Sequence, residues 1–281
     1  MSTSTQSMQT GLIATVRNVR RGGWPGLLRR RGLIFTILDF AVIIAIWHIA
    51  VVNLELVNRV FLPAPFDVVL GFGQLAEAGL LWPNMAYSGI TWGIGFALGC
   101  IAGIAVGLIV GSMHVAYKLV MPLMWAAWAT PLVAIQPIIG VWFGFGMTPN
   151  IVLVFLSTAI PISLNTVAGV SGVSPSLLRA ATVYGASKWT AYLKVRLPWT
   201  TPYIVGGIRL AIPTSLIGLL IGEMVSSPSG MGSLIVTSLA RFRTNQAFSA
   251  IVFFVVVSVL LVWIADSFEK RAGKWREVNA R

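Results

Sequence analysis

The chain has 281 residues, 57% hydrophobic and 10% charged, with a mean hydropathy of +0.85 and a formal net charge of +12. These values exclude an ordinary soluble domain and predict an all-α polytopic membrane protein of about six spans. The positive charge does not mark a nucleic-acid surface, because the basic residues sort by connecting segment, as a membrane topology requires.

Residues 1–32 form an N-terminal tail. Its first ten residues are rich in Ser, Thr, Gln and Met and are expected to be disordered, and Gly22 to Gly32 is expected at the membrane surface. The first predicted span is Leu33 to Val52. It resembles a signal peptide in its flanking charge, but it is about 20 residues long and no A-x-A site follows closely, so it is expected to be an uncleaved anchor. The string LPAPFDVV follows, where Pro63 and Pro65 set an extended entry and Asp67 falls in the first turn of a short interfacial helix.

The second span, Tyr87 to Gly111, carries Gly95, Gly99, Gly103, Gly107 and Gly111 in unbroken steps of four. Each step turns about 400°, so the stripe drifts by about 40° and lets a neighbouring backbone approach at a crossing. Lining a conduit is the alternative use. Cys100, the only cysteine, lies in the same span as a small packing residue. The third span, Leu119 to Trp142, is interrupted by Pro122, Pro131 and Pro137 and is expected to be broken or partly re-entrant. The fourth runs from Ile151 to Gly172, where Asn165 and Thr166 are expected to bond across helices.

The fifth span, Tyr203 to Met224, holds Arg209 and Glu223, separated by about 21 Å of helix rise, so neither neutralises the other. Arg209 is expected to reach the interface. Glu223 is either an interfacial carboxylate at a helix end or a gate or pathway group. With Gln136 and Asn165 it completes the set of candidate translocation-path residues. The sixth span is Ala247 to Ala265; the transmembrane domain covers 33–266, and 267–281 is a C-terminal tail that continues the last helix.

Alternate connections hold sixteen basic residues against three, with Arg209 left inside a span. The positive-inside rule then places both termini in the cytoplasm, together with a polar interruption at about 174–200. That interruption is patterned. Ser174 caps a helix starting at Pro175, with Leu177, Ala180, Ala181 and Tyr184 on one face; Gly185 ends it; Ser187 caps a second helix with Trp189, Tyr192 and Leu193, which Pro198 is expected to stop. Two short amphipathic helices with a glycine hinge present an apolar, small-residue face that awaits a partner.

No phosphate-binding G-x-x-x-x-G-K-[ST] loop occurs, so ATP hydrolysis is not expected in this chain. His48 and His114 have no carboxylate at ligand spacing, and no H-E-x-x-H or G-x-S-x-G string or paired-carboxylate arrangement occurs, so neither a metal site nor catalytic residues are assigned.

The interruption resembles the cytoplasmic loop of permease subunits of type I ABC importers, in the nitrate, sulfonate and taurine branch. That family's E-A-A-x-x-x-G-A-S motif ending in L-P corresponds here to Arg179, Ala180, Ala181, then Gly185, Ala186, Ser187, then Leu197 and Pro198, with Arg179 replacing the glutamate. FLPAPFDVV, PLVAIQPIIGVWFG, PISLNTVAGV and GEM resemble the same branch, over about residues 60 to 270. The resemblance implies a non-enzymatic permease in a bacterial inner membrane whose loop docks on a separate subunit that binds ATP and Mg. It implies pairing with a second permease copy as a homodimer. A solute-binding protein would deliver a small anion such as nitrate, taurine or an alkane or aryl sulfonate. The competing reading is a proton-coupled secondary transporter, which would place ionisable groups near the midplane, where only His48 comes close.

Overall fold

The computed structural model describes residues 25–277; the expectations for the first 24 residues and the last four lie outside them. No strand occurs among the described residues. The chain divides into two units, up to Asn58 and from Arg59 onward. The first unit contains α1, Pro25–His48, which runs into a wide turn, Ile49–Asn53, closed by Leu54 N–H donating to the Ile49 carbonyl at 2.9 Å.

The second unit begins with α2, Pro65–Glu77, entered through Pro65 as the sequence predicts; the Asp67 carboxylate accepts the Ala64 N–H at 3.1 Å and closes the first turn. It continues through α3 (Leu81–Ser112), α4 (His114–Ala129), α5 (Leu132–Phe143) and α6 (Met147–Ser171). The α4–α5 pair is one bent element with an angle of 95°. Of the three prolines in it, Pro131 makes the break, holding Thr130 extended; Pro122 and Pro137 sit inside helices.

After α6 come α7 (Pro175–Val183), α8 (Lys188–Ala191), a wide turn (Tyr192–Arg196), α9 (Leu197–Ser226), α10 (Met231–Ala240) and α11 (Thr244–Glu277). Among the described residues, four helical stretches are long and apolar enough to cross a bilayer, or five with the bent pair counted as one. The expected first span falls on α1, of which Leu38–Asn53 is the apolar stretch among the described residues. Helix α10 falls in the connection between the fifth and sixth predicted spans. Its apolar face packs into a cluster with Leu75, Leu81, Ala247 and Ala250, and burial there stabilises a helix too short to be recognised by span length.

Helix α6 is the centre of the fold. It is the most buried of the spans, with α3 parallel on one side and α9 antiparallel on the other. Gly169 of α6 faces Tyr203 and Thr200, while Gly207, Gly218 and Gly222 of α9 face Asn165, Ser157 and Asn150 in turn. Pro161 would leave the Ser157 carbonyl without its helical donor; the Thr214 hydroxyl of α9 reaches it at 3.2 Å, a donor shared with the Ala211 and Leu210 carbonyls of its own helix at 3.0 and 3.2 Å.

Candidate functional site: the elbow and the polar core

The interruption folds as an elbow. Ser174 Oγ accepts the Ser176 N–H at 3.3 Å at the start of α7, and Ser187 Oγ accepts the Thr190 N–H at 3.1 Å at the start of α8. Gly185 between them has φ +77°, a left-handed conformation that a side chain disfavours, with open space around it. Pro198 does not stop the second helix. The turn at Tyr192–Arg196 bonds i to i+5, with Leu197 N–H donating to the Tyr192 carbonyl, and this widening makes room for the proline ring at the start of α9. Residues 188–226 therefore run as one 39-residue helical stretch, joining the elbow rigidly to α9.

On α7, Leu177, Arg179 and Ala180 are exposed, Ala181 is half-buried, Val183 is 84% exposed and Tyr184 is 90% exposed. Ala186 is half-buried, Leu197 is half-buried and Pro198 is exposed. On α8, Trp189 stacks on Tyr192 with ring centroids 6.0 Å apart.

The five stripe glycines of α3 face α6, four of them buried and Gly111 half-buried. A Cβ at Gly95 would meet Val154 at 2.7 Å, at Gly99 Thr158 at 2.6 Å, at Gly103 the Ala159 carbonyl at 2.8 Å and at Gly111 Val170 at 2.7 Å, while one at Gly107 would collide with Thr166. Contact through all five steps needs the two helices to wrap around each other, since a straight helix would rotate the stripe away; a repeat longer than 3.6 residues implies a right-handed sense.

The three sequence-named path residues separate. Gln136 is fully buried, its Nε2 donating to Ser226 Oγ at 2.5 Å and to the Gly222 carbonyl at 3.3 Å. Asn165 is half-buried, and its Nδ2 donates to the Pro161 carbonyl in its own helix at 2.9 Å rather than across helices. It borders a recess of about 340 Å³ together with Tyr117, Met121, Trp125 and Ser171. Thr166 is buried with no partner for its hydroxyl.

Glu223 lies in the interior, not at an interface. Its carboxylate accepts the Ser88 hydroxyl at 2.7 and 2.9 Å and the Gly232 N–H at 2.9 Å, so it caps the first turn of α10 while holding α3. Gly230, at φ +110°, fits because any Cβ there would overlap that carboxylate, and its N–H donates to Asn84 Oδ1 at 2.7 Å. Sequence reasoning missed this cage; its one local signal was the glycine pair in GEMVSSPSGMG. Arg209, 47% exposed, forms an ion pair with Asp266 of α11 at 2.5 Å, a partner the sequence did not indicate. A separate recess of about 200 Å³ lies between the α4–α5 bend, α6 and α9, bordered by Trp128, Thr130, Ser157, Pro161 and Thr214. Among the described residues, no group of three or more His, Cys, Asp or Glu is arranged to hold a metal.

Residues 95–274, which contain the α3–α6 seam, the elbow and Glu223, match the family described as the binding-protein-dependent transport system inner membrane component. The chain belongs to this family. An aliphatic sulfonates transport permease protein of Bacillus subtilis is 32% identical over 88% of this chain and 90% of its own length. The riboflavin transport system permease protein of Chloroflexus aurantiacus is 30% identical over 92% and 94%, and the taurine transport system permease protein of Escherichia coli 26% identical over 91% and 94%. A solved bacterial ABC transporter involved in alginate import shares the fold, with TM-score 0.59 at 17% identity over 87% of this chain and 97% of that one. A chain of the inward-facing MetNI methionine ABC transporter gives 0.53 at 19% identity over 70% and 95%. This chain is accordingly a multi-pass inner-membrane permease subunit of an ABC importer.

Proposed function

We propose that this permease imports a small anion of the sulfonate or taurine class, received from an extracytoplasmic solute-binding protein and driven by a separate subunit that binds ATP and Mg. The substrate class is supported by two of the relatives, named for aliphatic sulfonates and for taurine. The single observation that carries the mechanism is the elbow: an exposed apolar helix, α7, hinged at Gly185 to a rigid helical stretch that runs to Ser226. A displacement applied at Leu177, Ala181 and Tyr184 would travel along that stretch into the membrane core.

The elbow and both chain ends face the cytoplasm in this reading, supported by the asymmetry of basic residues. Two copies of the chain form the conduit, which one self-complementary face suffices to build. Of the three sequence-named path residues, Asn165 borders an open recess and the path proposal narrows to it, while Gln136 and Glu223, fully buried and bonded, act as internal braces.

Ala181→Asp tests the docking role, because it places an unpaired carboxylate on the apolar face while leaving the spans untouched. In proteoliposomes holding the assembled importer, substrate-stimulated ATP hydrolysis and uptake should both fall to background. ATP-driven uptake at the wild-type rate would overturn the proposal. Swapping the solute-binding protein's ligand among taurine, an alkanesulfonate and riboflavin tests the substrate class, and uptake of riboflavin alone would overturn that part.

A further inference from the structure

Beside the elbow lies an open groove of about 750 Å³ that the displacement route through α7 leaves free. One wall is the last turns of α3, with Leu108 and Ile109; the other is α8 and the wide turn after it, with Lys188, Trp189, Tyr192 and Arg196. The walls are mostly apolar, and the two charged groups in them are both cationic. Neither cation pairs with a carboxylate among the described residues, and the Arg196 Nε is buried without a hydrogen-bond partner. A guanidinium N–H withdrawn from water and left unmatched is costly and points to an absent acceptor.

The groove's depth selects the acceptor. Helix α3 is a strongly apolar span that ends at Ser112, so its last turns lie where hydrocarbon gives way to headgroups. A water-soluble partner reaching Arg196 would leave Leu108 and Ile109 in hydrocarbon, whereas a lipid satisfies both walls. Stacked Trp189 and Tyr192 supply the amphipathic ring pair suited to that boundary.

We propose that this groove binds one anionic phospholipid from the leaflet on the elbow side, its phosphate between Lys188 and Arg196 and an acyl chain along Leu108 and Ile109. The guanidinium fork matches a phosphate's paired oxygens, and the ammonium adds a second positive charge. Bound there, the lipid braces α8 against α3 and stiffens the base of the elbow. The proposal rests on the membrane placement of α3, not on the ATP-hydrolysing partner, so its failure would leave the coupling role standing.

The full-length chain, purified in neutral detergent and stripped of lipid, is titrated with phosphatidylglycerol or phosphatidylcholine, and bound lipids are counted by native mass spectrometry. One phosphatidylglycerol should be retained on the order of tenfold more tightly than phosphatidylcholine. Lys188→Gln with Arg196→Gln should abolish the preference, Arg196→Lys should keep most of it, and Arg241→Gln with Arg243→Gln, at the far connection, should leave it intact. Equal retention of the two lipids, or an unchanged preference in the Lys188/Arg196 double variant, overturns the proposal. So does displacement by excess inorganic phosphate, which assigns the groove to a free anion. Should the double variant fail to fold, amine labelling of the wild-type chain decides: phosphatidylglycerol must protect Lys188 and phosphatidylcholine must not, and equal labelling overturns the proposal.

Discussion

Replacing Gly99 by alanine adds one methyl group to the middle of the α3–α6 seam. Its Cβ would stand 2.6 Å from Thr158 Cβ and 2.9 Å from the Phe155 carbonyl oxygen. Unstrained carbon–carbon contact is about 3.5–4.0 Å, so the helices must part by roughly 1 Å at this level. Neither neighbour is the far end of a flexible side chain, and α3 touches α6 at Gly95 and Gly103 on either side, so the separation spreads along the seam. Overpacking of this kind costs about 1–3 kcal/mol. Gly93, on the same helix, is exposed with nothing near its would-be Cβ, so Gly93→Ala isolates the gain in helix propensity, about 1 kcal/mol. That gain is common to both variants and cancels in their difference, which leaves the clash alone, at the upper part of the 1–3 kcal/mol range because backbone atoms are involved. Denaturant unfolding in mild detergent, followed by circular dichroism, reads the difference directly. Stabilities of the two variants within about 0.5 kcal/mol of each other would refute the tight seam.

Glu223→Ala strands the buried Gly232 N–H and Ser88 hydroxyl and should destabilise the chain by about 2–4 kcal/mol, with Glu223→Gln milder because an acceptor remains; wild-type stability of the alanine variant in the same unfolding assay would contradict the cage. Thr214→Val should cost about 1 kcal/mol by freeing the Ser157 carbonyl, and much less in a Pro161→Ala background, where a helical N–H returns; equal cost in both backgrounds would show that the bond is idle. A double-mutant cycle on Arg209→Gln and Asp266→Asn should give about 0.5 kcal/mol of coupling, kept small because Arg209 is 47% exposed, and added salt should weaken it further. A salt-insensitive coupling well above that size would mean that the pair is shielded from solvent.

The elbow was legible in the sequence because its signals are local: a serine at each helix start, a glycine at the hinge and apolar residues at helical spacing. Pro198 misled because its effect depends on the shape of the preceding turn. A widened turn absorbs the ring, and no residue type announces that widening. Asn165 illustrates the same limit in side-chain bonding, since an amide at membrane depth needs a partner but its identity depends on whether the neighbouring helix or its own backbone lies closer.

Membrane residence, helical class, the glycine stripe and the capped elbow follow from composition, period and spacing, each a property of a short stretch and its solvent. Which helix the stripe packs against, the burial of Glu223 beneath α10 and the pairing of Arg209 with Asp266 were decided only by the folded chain. Those features join residues 9 to 135 positions apart, and a contact across such a separation arises from how helices stack, which no local pattern encodes.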